Sequence, residues 1–278
     1  MTKGVSVLIP AHDEAEYIAG CLQAVFASDP LPAGMAAEVL VLANGCRDET
    51  AAAARAQQPP AGWDLRVLEL PEGGKLGALN AGDAAARGGI LIYLDADVAV
   101  SPALIPQITA ALAENAPRYA SGCPQVALAR SAVTRAYARL WTRLPFAAGG
   151  VPGFGVFAMN RPGRQRWGDW PDIIADDVFA RLNFAPCERV KVPAAYSWPM
   201  VEGFRNLVRV RRRQNAGVAE VATKFPDLQQ NEDKIPPSAG AVLKLLLTDP
   251  TGFVIYAMVG LATKTPLFAS ASRWTRGR

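Results

Sequence analysis

Ile90-Leu91-Ile92-Tyr93-Leu94 is an unbroken apolar run that ends directly on Asp95-Ala96-Asp97. A short, uniformly apolar run is what a strand buried on both faces of a parallel sheet looks like, whereas a strand with one wet face alternates. Parallel strands need crossover connections, so a chain built round this strand must place helices between its strands. The first 100 residues follow that rule. Val5–Ile9 predicts a strand, and Ile18, Leu22, Val25 and Phe26 predict a helix over 14–27, ended by Pro30 and Pro32. Glu38–Leu42 predicts a second strand, followed by an alanine-rich helix over about 49–57 with Asp48 as its N-cap. A third strand over Leu65–Leu70 and a helix over 75–87 lead to Ile90–Leu94. The expected fold class is α/β, a mostly parallel sheet flanked by helices on both faces.

Beyond residue 100 the pattern predicts a helix over about 102–114, a strand near 119–128, a helical region near 130–143, a strand over 155–160 and a short helix over 176–183. Gly149, Gly150, Gly153 and Gly155 suit a loop beside a ligand, because glycine allows close backbone approach. Arg205–Arg213 holds five arginines; a polar, proline-bearing stretch follows, and then an apolar one interrupted by Lys244, Asp249, Pro250 and Lys264. The expected organisation is a main domain over 1–222 with halves at about 1–100 and 101–222, a linker over 223–240, and an apolar, basic-flanked helical tail over 241–278.

Charge and rare residues remove several functions. The 29 Lys and Arg are mixed with 25 Asp and Glu for a net +4, which is no nucleic-acid-coating composition, so no nucleic-acid partner is expected. His12 is the one histidine, which makes a Ser-His-Asp triad or a multi-histidine metal site very hard to build; it is expected as a pocket wall. Cys21, Cys46, Cys123 and Cys187 form no CxxC pair, and the N-terminal residues have no signal-like apolar segment, so folding in the cytoplasm is expected.

Asp95 and Asp97 stand at the carboxyl end of a parallel strand, where open α/β sheets bind ligands. Two carboxylates at i and i+2 can hold Mg²⁺ or Mn²⁺ beside phosphate oxygens, or can cap a turn by accepting backbone N–H groups. The ends of the other strands should gather on the same edge: Pro10, Ala11, His12, Asp13 and Glu14; Asn44 and Gly45; and Gly73, Gly74 and Lys75. Lys75 behind two glycines at a helix start can meet a phosphate, although an isolated Gly-Gly-Lys is also read as a solvated lysine. The spacing of a P-loop is absent, and no GxGxxG follows the first strand.

Taken together, these blocks resemble the inverting glycosyltransferases of family 2, which have the GT-A (Rossmann-like) fold. The resemblance rests on Val5–Glu14, Asn44–Thr50, Gly74–Gly82, Asp95-Ala96-Asp97, Gly155–Arg161 and Ala175–Leu182, and covers roughly residues 4–215. It implies that Pro10, Asp13, Glu14 and Asn44 line the nucleotide pocket. It also implies that Asp95 and Asp97 hold a diphosphate through a divalent cation, Mg²⁺ or Mn²⁺, with help from Lys75. Asp177 would be the general base acting on the acceptor hydroxyl, and the donor would be a nucleoside diphosphate sugar. The chain departs from the family pattern in Ala43-Asn44 and Asp13, where the family usually carries aspartate and asparagine. Its arginine-rich motif is only partly echoed by Arg209, Arg211, Arg212, Arg213 and Gln214, which either clamp the diphosphate, bind anionic lipid or form a solvated helix face. Trp167, Trp170 and Trp198 either stack on sugars or pack the core. A nucleotidyltransferase and a non-catalytic sugar-nucleotide-binding scaffold stand as alternative readings.

Residues 251–263 give only about a dozen apolar positions, below the roughly 20 that span a bilayer. With Lys244, Lys264, Arg273, Arg276 and Arg278 around it, the tail either makes a peripheral membrane contact or packs on the domain or a second copy. Membrane contact goes with a lipid-linked acceptor, a product in cell-envelope polysaccharide or glycolipid, and residence on the inner face of the cell membrane.

Overall fold

The computed structural model describes residues 4–266 and 268, so Arg273, Arg276 and Arg278 lie outside the described residues. The first elements are β1 (Gly4–Ala11), α1 (Ile18–Phe26), β2 (Ala36–Asn44), α2 (Thr50–Arg55), β3 (Trp63–Leu70), α3 (Lys75–Ala85), β4 (Ile90–Leu94) and β5 (Ala99–Val100). Then come α4 (Leu104–Ala111), β6 (Tyr119–Val126), α5 (Ala132–Trp141), α6 (Pro145–Ala148), β7 (Val156–Asn160), α7 (Arg161–Arg164), α8 (Asp176–Leu182) and β8 (Arg189–Trp198). The last three are α9 (Phe204–Lys224), α10 (Ala239–Thr248) and α11 (Pro250–Ala262).

One eight-stranded sheet runs in the order β3-β2-β1-β4-β7-β6-β8-β5. The β1–β2, β2–β3 and β1–β4 pairs are parallel, as the crossover helices require. Past β4 the sheet turns antiparallel at β4–β7 and β6–β7, and again at β5–β8, so it is a mixed sheet flanked by helices. β8 is absent from the sequence reading because Lys191 and Pro193 interrupt its alternation. β5 pairs it only at Tyr196 and Ser197, which leaves Pro193 outside that ladder.

By packing, the chain divides into two compact units. The first comprises residues 1–125, 151–172 and 183–198, and the second residues 126–150, 173–182 and 199–278. This division differs from the expected single domain over 1–222: the segments carrying α5 and α8 pack with α9 and the helices after it.

The first unit holds the sheet. Val7, Ile9, Val39, Val41 and Ile92 pack with Ile18 and Leu22 of α1 in one buried cluster. On α3, Gly82 lies so close to Leu8 and Leu42 that a Cβ there would clash with both, so the strands are covered by α3 as well. Each fully buried Leu, Ile or Val stabilises the unit by about 1.5–3 kcal/mol relative to an exposed one. Between β1 and β2, the buried Glu38 accepts from Ser6 Oγ (2.6 Å), the Arg87 amide (2.6 Å) and Arg66 (3.2 Å). Burial pushes this carboxyl up, but those donors together hold it below its ordinary value.

The second unit is helical. α11 packs on α5 and α9, with the Tyr137 and Tyr256 rings stacked at 5.2 Å. The Glu202 carboxylate receives the Arg130 and Ser131 amides at 2.7 and 2.8 Å, closing the start of α5. Asp249 caps α11 through the Gly252 amide and pairs with Arg139, and Arg212 donates to the carbonyls of Ala262 and Thr263 at its other end. The stretch expected as a linker is ordered: residues 226–231 form a 3₁₀ turn, and Glu232 and Asp233 both reach the buried Arg181 at 2.7 Å.

Candidate functional site

In the first unit, β1, β2, β3 and β4 run the same way, so the loops after them share one edge. Asn44, the last residue of β2, is 3% exposed and ties three of these loops together. Its Nδ2 donates to the carbonyls of Ala11 (2.9 Å) and Leu42 (3.0 Å), and its Oδ1 accepts from the Gly74 amide (3.0 Å). The Asn44 amide is therefore committed to backbone, and it shapes the expected nucleotide pocket rather than facing into it. His12 lies over Gly73 and its Nδ1 is 2.6 Å from the Asn44 carbonyl, as a wall residue would be. Gly45 is required by the same crossing: its φ is +57°, and a Cβ would come within 2.8 Å of the Gly73 backbone.

The loop after β1 is held against the loop after β2. Asp13, at φ +50°, accepts the Arg47 amide at 2.5 Å. The Glu14 amide donates to Thr50 Oγ1 (2.7 Å), and the Ala15 amide to Asp48 (3.2 Å). Asp48 also accepts the Thr50 amide, so it does cap the turn into α2, although the N-cap position itself is Glu49. Asp13, Cys46 and Asp48 put ligand-type atoms within 4.8 Å of one another. Because both carboxylates already receive backbone amides, this group works as a clasp between the two loops. Pro10 is half-buried and in register with Leu42, at the root of the same edge.

After β4, Ala96 and Val98 turn into the core, while Asp95 and Asp97 are half-exposed. The Asp95 amide donates to the Gly155 carbonyl at 2.8 Å, and Cys21 Sγ sits 3.8 Å from the Asp95 carbonyl. Burial, and then the Asp95 charge, push the Cys21 thiol far up, so it stays protonated. Gly155 could not be another residue: its φ is +70°, and a Cβ would strike Val98 and Trp198. Lys75, opening α3, places Nζ 2.9 Å from Asp95 Oδ1, an ion pair that the sequence reading did not specify. Two half-exposed carboxylates offering only oxygen form a hard donor set that fits Mg²⁺ or Mn²⁺ better than a thiophilic metal.

Asp177 belongs to the second unit, in the first turn of α8; it is half-exposed, and Asp176 beside it is buried. Acidic residues in a helix's first turn are favoured by its dipole. The entry to α8 is fixed by α9: the Ile174 amide donates to Glu220 at 2.9 Å, and a Cβ on Gly217 would press on Ile174 and Ala175 at 3.0 Å. Arg181, expected to follow the acidic pair, works as the anchor for Glu232 and Asp233. Of the five arginines on α9, Arg211 reaches Tyr256 and Arg212 caps α11, so these two are structural. Trp167 and Trp170 pack edge-on under Arg164, and Trp198 stacks on Phe154.

The family model for glycosyl transferase family 2 matches residues 6–177. Glycosyltransferase AglE of Haloferax volcanii is 43% identical over 94 residues, which is 34% of this chain and 30% of that protein. The match thus spans less than a third of that relative's length. Two solved structures are similar in fold. A mannosyltransferase from Pyrobaculum calidifontis in complex with GDP-mannose and Mn²⁺ has a TM-score of 0.56 and 21% identity over 94% of this chain and 74% of that one. Glucosyl-3-phosphoglycerate synthase from Mycobacterium tuberculosis in complex with Mn²⁺, UDP and glucosyl-3-phosphoglycerate has a TM-score of 0.53 and 22% identity over 78% and 79%. With the family model covering more than half of the sequence and the sheet carrying the matching motifs at its strand ends, the chain belongs to glycosyl transferase family 2 and has the GT-A fold.

Proposed function

We propose that the protein moves a sugar from a nucleoside diphosphate sugar to an acceptor hydroxyl, with inversion at the anomeric carbon, in the presence of a divalent cation held by Asp95 and Asp97. The observation that carries this reading is the Lys75–Asp95 pair at 2.9 Å, beside loops locked by Asn44. A lysine beside carboxylates on one strand-end edge supports a diphosphate and a divalent cation bound there. The ligands of the two similar structures, nucleotide or nucleotide sugar with Mn²⁺, support the same assignment.

When bound, the cation supplies Lewis-acid neutralisation of the leaving diphosphate. Lys75 shares that task as a point charge at the start of α3. Pro10, Asp13, Glu14 and Asn44 form the nucleotide end, with Asn44 and Asp13 acting by fixing the loops. Asp177 takes the acceptor hydroxyl's proton as that oxygen bonds to the anomeric carbon; the bond from this carbon to the diphosphate oxygen breaks, and its electron pair leaves with the diphosphate. With this reading go a lipid-linked acceptor, a cell-envelope polysaccharide or glycolipid product and a site on the cytoplasmic membrane face, supported by the apolar C-terminal helices.

The test is a thermal-shift panel of UDP, GDP, dTDP and CDP with and without Mn²⁺, followed by turnover with the stabilising nucleotide's sugars. Asp97→Asn should remove the metal-dependent part of the shift. Asp177→Asn should keep the shift and lower kcat by about 10²- to 10⁴-fold, and product NMR should give the opposite anomer from the donor. Full turnover by Asp177→Asn would overturn the base assignment. Absence of any nucleotide shift in folded protein would return the scaffold reading.

A further inference from the structure

From Lys234 to the C-terminus the sequence contains one acidic residue, Asp249, which is 9% exposed and paired with Arg139. The helices in this stretch are almost entirely apolar, yet protein covers only part of them. Leu245 is the one buried residue of α10, and Leu243, Leu246 and Leu247 are 55%, 37% and 73% exposed. On α11, Gly252, Val259 and Ala262 are buried, while Val254, Met258 and Leu261 are 51%, 51% and 64% exposed. Residues 243, 246 and 247 share one face of α10, and 254, 258 and 261 share one face of α11. A helix that is apolar all round belongs in a core or in lipid; among the described residues one side of α11 has a core and the other has none.

Among the described residues no single helix is long and apolar enough to cross a membrane, and α10 and α11 meet at a 120° bend. Cations flank the two helices: Lys244 is exposed on α10, Arg143 bonds Thr248 at its end, the side chain of Arg139 is 56% exposed at the bend, and Lys264 is exposed past the far end of α11. Counted over its sequence, the whole second unit carries 17 Lys and Arg against 8 Asp and Glu. Two copies of a unit with this net charge would repel each other, whereas anionic headgroups would be attracted.

We propose that the uncovered faces of α10 and α11 dock on an anionic phospholipid surface, lying in the interface with Leu243, Leu247, Val254, Met258 and Leu261 against the acyl region and Lys244, Arg143 and Lys264 at the headgroups. This deepens the membrane-side reading above, but its readout needs no turnover. The full-length protein is sedimented with phosphatidylcholine vesicles, plain or with roughly 30 mol % phosphatidylglycerol. Partitioning should be about tenfold stronger on the anionic vesicles and fall as NaCl rises from about 0.1 to about 0.5 M. Leu247→Glu with Leu261→Glu should lower it by about tenfold or more while leaving the melting temperature and the nucleotide shift unchanged. Equal binding to neutral and anionic vesicles, no binding to either, or unchanged binding by the double variant would overturn the proposal. So would lipid-free dimerisation, by light scattering, that the double variant abolishes. A retained nucleotide shift in any of these cases would leave the transferase reading standing.

Discussion

The two compact units differ in charge and in what holds them. The first carries 12 Lys and Arg against 17 Asp and Glu, a net −5, and the second 17 against 8, a net +9. The first is built on a sheet buried on both faces, with its buried carboxylate, Glu38, fully surrounded by donors. The second is a set of helices fastened at their ends by ion pairs, Arg181 with Glu232 and Asp233 and Arg139 with Asp249. A net +4 for the whole chain hides this division. The difference teaches that the two units attract opposite charges: the proposed cation goes with the acidic unit and the proposed anionic surface with the basic one.

Changes confined to one unit should break this comparison in different ways. The largest expected effect is in the second unit. Arg181→Ala removes the buried guanidinium between Glu232 and Asp233, leaving Lys234 at 3.4 Å from Glu232, and should cost about 3 kcal/mol in urea unfolding; a loss below about 0.5 kcal/mol would mean the clamp is a solvated pair. In the first unit, Asn44→Asp removes the two side-chain donors that reach the Ala11 and Leu42 carbonyls and should cost about 2 kcal/mol. It should also weaken the nucleotide shift while leaving vesicle partitioning intact, and a variant that bound nucleotide normally would show the clip to be dispensable.

Gly217→Leu tests whether α9 positions α8. The added side chain meets Ile174 and Ala175, so kcat should fall about tenfold with little change in nucleotide binding, against a helix-propensity gain of about 0.8–1 kcal/mol. Turnover at the native level would separate Asp177 from this packing. The smallest effect is acid sensitivity. Glu38 has its folded pKa below the ordinary 4.5, so its contribution is fully present above 4.5 and is lost as pH falls through the lower folded value. Glu232 behaves the same way, held down by Arg181 against the upward push of burial. Denaturant midpoints measured from pH 6 to pH 3 should fall less steeply for Glu38→Gln than for the native chain.

Much of the first unit was legible in the residues. Val5–Ile9, Glu38–Leu42, Leu65–Leu70 and Ile90–Leu94 all lie within β1 to β4, because continuous apolar runs between helical crossovers have one economical arrangement. The 21 residues of α9 were legible only as a basic stretch, since arginine at 209 and 211–213 masks the period that Leu207, Val208, Gly217 and Val221 carry inward. The role of Asn44 was hidden for another reason: whether an amide faces a ligand or three backbone segments depends on how separate loops meet. Gly155 was legible as a loop glycine, but that its missing Cβ makes room for Val98 and Trp198, and that of Gly217 for Ile174, is visible only once those side chains are in place.

The bond from the Gly74 amide to Asn44 has a consequence for dynamics. That amide takes part in no strand ladder, yet its proton is shielded by a side chain fixed on β2. In hydrogen–deuterium exchange, the tip between β3 and α3 should therefore exchange at the rate at which Asn44 lets go, far slower than an ordinary glycine loop. One amide's exchange rate would then serve as a clock for the opening of the whole strand-end edge, readable with no donor, metal or acceptor present.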